Sequence, residues 1–176
     1  KYNLIIASDM LNLPLFISLC RKEINNTKIV TYFHENQILY SKEPTNLDEQ
    51  LNRDLHYAFI NYTSSLVSDI NLFNSNYHRN IYIEELEKYL NKKPEFKNKY
   101  TLEIIKNKSS VLHIGCDLEI FLPINNYSNN IPIILWNHRW EHDKNPESFF
   151  KILIKLSQNK VKFSLVVLGE NFKNSP

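Results

Sequence analysis

The chain has 176 residues, 43% of them hydrophobic, and a formal net charge of +2. That length suits one good core or about one and a half α/β domains, and the charge marks neither a polyanion partner nor a membrane surface. Only two glycines occur, which excludes a P-loop or a Gly-x-Gly-x-x-Gly turn, and with them a Walker-type ATPase or a dinucleotide-dependent dehydrogenase.

Taken in order, short apolar runs alternate with stretches of helical spacing. Leu4 to Ala7 reads as a strand, and Asn12 to Lys22 as a short helix turning Leu15, Phe16 and Leu19 inward. Ile29 to Phe33 is a second strand, closing in His34-Glu35-Asn36-Gln37. After a polar loop, Leu55, Phe59, Tyr62 and Leu66 recur at helical spacing within Asn52 to Ser68. Ile70 to Phe73 is a third strand, and Ser75 is a natural N-cap for a helix running to Leu90 with Ile81 and Leu86 inside. A lysine-rich connector and a short helix near Glu103 lead to a strand at Val111 to Ile114. Asp117 to Asn130, with one proline and several asparagines, reads as an interdomain linker.

A new strand starts at Ile131, followed by a helix from Pro146 to Ser157 and a strand from Phe163 to Leu168. Strand-helix-strand repetition implies parallel sheets with right-handed crossovers. The expectation is one nearly whole Rossmann-like domain (1–125) and the first βαβ unit of another (126–176), with both ends truncated. Cys20 and Cys116 lack a Cys-x-x-Cys partner, so reduced, mostly buried thiols and a cytoplasmic location are expected. The six histidines are scattered, and no metal site is expected. No apolar run approaches the ~20 residues that span a bilayer, and no signal peptide is read.

The densest chemistry lies in Trp136-Asn137-His138-Arg139-Trp140-Glu141-His142-Asp143-Lys144-Asn145-Pro146-Glu147-Ser148-Phe149-Phe150. Asn145 can cap the following helix, Pro146 suits its first turn, and Glu147 favours its positive end. Arg139 and Lys144 thus fall at the carboxyl end of a strand beside a helix N-terminus, where open α/β sheets hold phosphorylated ligands. With so few glycines, such a ligand must be held by side chains and a helix end. The bland alternative is a solvated turn whose charges pair among themselves and contribute almost nothing. Trp136 and Trp140 read as packing rather than as base-stacking platforms.

Two Rossmann-like domains, Asn74-Ser75 at a helix start, and the run His113-Ile114-Gly115-Cys116-Asp117-Leu118-Glu119-Ile120-Phe121 resemble the retaining glycosyltransferases of the GT-B fold. His113-Ile114 stands where those enzymes usually carry Asn. A more specific resemblance, to the tRNA-queuosine α-mannosyltransferases, spans nearly the whole chain. It is carried by Tyr32-Phe33-His34-Glu35-Asn36-Gln37, Arg53-Asp54-Leu55-His56-Tyr57, Phe73-Asn74-Ser75, the His138-to-Phe150 block and Val167-Leu168-Gly169-Glu170. The resemblance implies mannose transfer from GDP-mannose, a substrate and not a cofactor, to queuosine in a tRNA anticodon, with retention. No membrane and no obligatory protein partner are implied.

On that resemblance Arg139 and Lys144 become the diphosphate clamp, with Gly169 and Glu170 beside the donor. Gly169 could equally just end a strand. His34 takes a positioning or proton-handling role with Glu35 as its neighbour; the alternative is a loop-orienting cluster. Asn36 and Gln37, with Arg53, His56, Tyr57 and Asn61 on one helix face, are placed on the acceptor side, although an ordinary polar helix surface reads the same. The lysines between 88 and 108 suggest an RNA footprint, but Glu87, Glu95 and Glu103 dilute them and a solvated face is the plainer reading. Two alternatives stay open: another nucleotide sugar with a non-tRNA acceptor, or a non-catalytic binding fragment. The chain by itself is expected to be inactive.

Overall fold

The computed structural model describes residues 2–24, 26–39, 56–92, 98–120, 130–141 and 144–169. The chain divides into two compact units, Lys1–Cys116 and Asp117–Pro176.

The first unit is a parallel sheet in the order β1 (Leu4–Ser8), β2 (Lys28–Phe33), β3 (Ile70–Phe73), β4 (Ser109–Val111). Helix α1 (Leu13–Leu19) joins β1 to β2, α2 (His56–Val67) precedes β3, and α3 (Asn76–Asn91) and α4 (Lys99–Asn107) lie between β3 and β4. Each strand steps the same way across the sheet, and right-handed crossovers in one direction place every helix on one face. Registers Ala7↔Thr31↔Asn71↔Ser109 and Phe33↔Phe73 define that face. Its core holds Phe33, Phe73, Tyr82, Leu86 and Ile105, with Phe33 and Phe73 stacked at 4.8 Å. A smaller cluster, Ala7, Leu13 and Ile29, lies under α1. On the other face Leu4, Ile6 and Ile70 are exposed, Ile6 to 68%.

Caps follow the local chemistry. Asn12 Oδ1 accepts from Leu15 N–H at the start of α1, with Pro14 in the first turn, and Ser75 Oγ accepts from His78 N–H at the start of α3. The last turn of α2 is closed from outside: Lys108 Nζ donates to the carbonyls of Leu66 and Ser68, both at 2.6 Å. Burial lowers the pKa of that lysine, while Asp69 opposes the shift.

Several expectations need correction. In α1 the buried side chain is Leu13, whereas Leu15 and Leu19 are exposed. The inward side of this seven-residue helix is Leu13 with Phe16 and Ile17, which pack partly against the Ala7–Leu13–Ile29 cluster. In α2 Phe59 is exposed, and the inner face carries Ala58, Asn61, Tyr62 and Ser65. Polar groups are satisfied on that face: Asn71 Nδ2 donates to the Ser65 carbonyl, and Tyr82 O–H lies 3.0 Å from the Asn61 carbonyl and from Ser65 Oγ. The fourth strand is Ser109–Val111, not 111–114. Its partner β3 ends at Phe73, so after Leu112 N–H bonds the Phe73 carbonyl no edge remains to pair with. Cys116 is exposed rather than buried.

The second unit pairs β5 (Ile133–Asn137) with β6 (Ser164–Leu168) in parallel, joined by α5 (Pro146–Gln158). Trp136 is its centre, buried among Phe149, Phe150 and Trp140. No helix among the described residues is long and apolar enough to cross a membrane.

Candidate functional site

In a parallel sheet all strands end on the same edge, so the segments after β1, β2, β3 and β4 converge there. They bring Asp9, His34 to Gln37, Asn74 and His113 to one border of the first unit. Asp9 is wholly buried, and its Oδ1 lies 2.5 Å from Nδ1 of His34, whose own side chain is 46% exposed. Neither carboxylate oxygen meets a donor at hydrogen-bonding angle, so the contact is close without being aligned. Burial pushes the Asp9 carboxyl up from its ordinary value. The His34 charge and the backbone N–H groups of Asp9 and His34 oppose this shift, and Glu35 adds to it.

Three asparagines brace the border. Asn61 is fully buried in α2; its Nδ2 donates to the Asp9 carbonyl at 2.8 Å and its Oδ1 accepts from Gln37 N–H at 3.3 Å. Asn36 Oδ1 accepts from Ile38 N–H, turning the chain after His34. Asn74 Nδ2 donates to the His34 carbonyl at 3.1 Å, while its Oδ1 sits 3.1 Å from Nδ1 of His78. The Asn74 carbonyl lies 3.0 Å from Nδ1 of His113. His78 is buried, which lowers its pKa; the Glu35 backbone opposes the shift, and His34 adds to it.

The sequence-based candidates separate on this map. His34, Glu35, Asn36 and Gln37 do share the border. The partner of His34, however, is Asp9, not Glu35, whose carboxylate accepts from Gln37 Nε2 at 3.0 Å. Asn61, expected to face an acceptor, is interior and ties two backbone segments together. His56 and Tyr57 are exposed at the start of α2. Arg53, Glu170, His142 and Asp143 lie outside the described residues. The lysine segment is partly committed locally: Lys88 bonds Glu84 and Glu85 at 2.7 Å each, and Lys108 closes α2. Sequence reasoning missed Asp9, His78 and His113 in this cluster. A Ser-Asp pair closing the first strand was the available signal for Asp9, since the sheet edge gathers strand ends.

In the second unit α5 begins as expected, with Asn145 Oδ1 accepting from Ser148 N–H and Glu147 in the first turn. Arg139 Nη2 pairs with Glu141 Oε2 at 3.2 Å, and Arg139 is 59% exposed. The loop is a tight one: Glu141 N–H bonds the Arg139 carbonyl and Lys144 N–H bonds the Glu141 carbonyl. Local pairing of Arg139 is what the bland reading foresaw, and a solvent-exposed ion pair of this kind is worth little. Both tryptophans pack: Trp136 is buried, and Trp140 stacks on Phe150 at 5.5 Å. Gly169 has a φ of +125° and sits against the His138 backbone, so the strand ends β5 and β6 are drawn together there. Among the described residues, no group of three His, Cys, Asp or Glu side chains gathers to hold a metal.

Comparison with known proteins matches the chain to a family model and to a curated relative. A family model described as tRNA-queuosine alpha-mannosyltransferase N-terminal matches residues 1–116, the same span as the first compact unit. A tRNA-queuosine alpha-mannosyltransferase of Drosophila melanogaster is 32% identical over 185 residues, covering 99% of this chain and 47% of the relative. The chain therefore spans about half the length of that curated relative.

Proposed function

The chain belongs to the tRNA-queuosine α-mannosyltransferase family, and from that premise we propose that the protein it forms part of transfers mannose from GDP-mannose to queuosine in a tRNA anticodon, with retention. The observation that carries this reading is the family match over the whole first unit. The parallel sheets support a GT-B architecture of two Rossmann-like domains, and we assign the enzyme to the cytoplasm with its tRNA.

The acceptor oxygen bonds the anomeric carbon while the bond from that carbon to the diphosphate oxygen breaks. The electron pair leaves with the nucleoside diphosphate, which takes up the hydroxyl proton. Negative charge therefore grows on the leaving group, and fixed cations aimed at it stabilise the transition state more than the ground state. We assign this role to Arg139 and Lys144, with the start of α5 adding its N–H groups. Two cations and a helix end supply the neutralisation, so the reading calls for no metal. His34 is assigned to the transferred sugar or the acceptor, Asn36, Gln37, Arg53, His56 and Tyr57 to the acceptor side, and Gly169 and Glu170 to the neighbourhood of the donor.

The test is an assay of the full-length protein with GDP-mannose and queuosine-containing tRNA, reading a mannosylated nucleoside by mass. Turnover with UDP-glucose and none with GDP-mannose would overturn the donor. Transfer to a free glycan but not to tRNA would overturn the acceptor. The 176-residue chain alone should be inactive, since it covers 47% of its relative.

A further inference from the structure

We propose that Asp9 is a positioning residue for His34: the buried carboxylate at the end of β1 holds the imidazole at the end of β2 by Nδ1, leaving Nε2 to meet substrate. The proposal rests on the reading that His34 works at the transferred sugar or the acceptor.

Geometry carries it first. Asp9 is completely buried and its oxygens make no aligned hydrogen bond, yet Oδ1 lies 2.5 Å from His34 Nδ1. A buried carboxylate without a partner is costly, and the imidazole, ahead of the backbone N–H groups of Asp9 and His34, offsets that cost. Both partners are anchored by their backbones. Asn61 Nδ2 grips the Asp9 carbonyl at 2.8 Å, and Asn74 Nδ2 grips the His34 carbonyl at 3.1 Å. The pair is thus fixed from α2 on one side and from the end of β3 on the other. The Glu35 carboxylate lies instead against Gln37 Nε2, and the ion-pair contact of His34 is with Asp9.

The chemistry follows from the two ring nitrogens. A carboxylate at Nδ1 favours the tautomer protonated there, fixes the ring plane and leaves a lone pair at Nε2. That lone pair accepts a hydrogen bond from a hydroxyl of the sugar or the acceptor. Contacts of this kind are often poorly aligned in unliganded proteins and tighten in the substrate complex. Asp9 itself, wholly enclosed, touches no substrate. It acts through His34.

The test uses the full-length protein with GDP-mannose and queuosine-containing tRNA. D9N should lower kcat by roughly 10–100-fold, by analogy with carboxylates that orient metal-bound histidines, and leave KM for tRNA within about two-fold. H34A should lose at least as much, and adding D9N to H34A should cost no further activity. Losses that multiply in the double variant would overturn the proposal, as would a normal kcat in D9N beside an impaired H34A. A second measurement needs no variant in Asp9. Nitrogen-15 spectra of the histidine-labelled protein should show neutral His34 protonated at Nδ1, and a proton on Nε2 instead would overturn the proposal. A fully active H34A would overturn the assignment of His34 to the reacting region and the role of Asp9 with it, whereas failure of D9N alone leaves that assignment standing.

Discussion

Gly169 and His138 meet backbone to backbone: a Cβ placed on Gly169 would lie 2.0 Å from the His138 carbonyl oxygen and 2.9 Å from its carbon. Both residues directly follow strands paired in register, Asn137 opposite Leu168. The contact sets where the chain leaves the sheet towards Arg139.

Gly169→Ala should therefore be doubly penalised, by a φ of +125° and by a clash with backbone that has no rotamer to yield. A loss of roughly 2–4 kcal/mol is expected. Thermal unfolding of the full-length protein would check it, and a variant as stable as the parent would show that the strand ends can part at no cost.

Asp9→Asn makes a prediction with a sign. Burial raises the folded-state pKa of Asp9 above its ordinary value of 3.8. The native protein therefore loses stability, relative to a neutral side chain, as pH rises from that value through the raised one. The variant should be at least as stable as the parent at pH 7, and its advantage should vanish in acid. Urea denaturation between pH 4 and pH 7 would test this, and a variant that is the less stable form at neutral pH would contradict it. A residue that costs stability while supporting turnover is a familiar trade at active sites.

Asp69 carries the opposite sign. Its carboxylate accepts from Ile29 N–H at 2.8 Å and pairs with Lys28 at 3.2 Å, and the Ile29 hydrogen bond leads in lowering its pKa. This stabilisation is present above the unfolded value and fades as pH falls through the depressed folded one. Asp69→Ala should cost about 1 kcal/mol at pH 7, the solvent-screened worth of one such bond. The difference from the parent should close in acid, and a gap constant with pH would show that the charge is not what matters.

How far the residues announce this structure varies along the chain. Alternating apolar runs and helical spacings place the strands and helices, because each run must bury its own face. Ser75, Asn12 and Asn145 mark helix starts because a short polar side chain there meets an orphan N–H. The His34-to-Gln37 cluster is legible as a strand end. What resists reading is any pairing across the sheet. Asp9 and His34 lie on separate strands, and no local spacing says that their ends meet. Asn61 misleads for a related reason: helical periodicity assigns it a polar face, whereas its partners are two distant backbone groups. Arg139 is visible as a cation, but its ion pair with Glu141 depends on the fold of the loop.

Asn61→Ala follows from that brace. The substitution would leave the buried Asp9 carbonyl and the Gln37 N–H without this partner. A cost of roughly 2–3 kcal/mol is expected. If Asn61 only braces, the KM for tRNA should hardly move while kcat falls with the displaced His34 loop. A raised KM with normal stability would instead return Asn61 to the acceptor surface.

Arg139 and Glu141 supply the sharpest contrast. If the guanidinium grips a departing diphosphate, the ligand must displace the 3.2 Å contact with Glu141. Glu141→Gln should then be nearly silent, since an exposed ion pair contributes little. Arg139→Ala should lower kcat by roughly 100–1,000-fold, in line with the loss of one donor to a developing anion. Arg139→Lys should recover only part of this, because an ammonium keeps the charge but not the bidentate fork. Steady-state kinetics of the full-length protein would separate the cases. Equal and severe losses in Glu141→Gln and Arg139→Ala would mean that the pair acts as a unit in holding the loop, and the clamp would then have to be sought elsewhere.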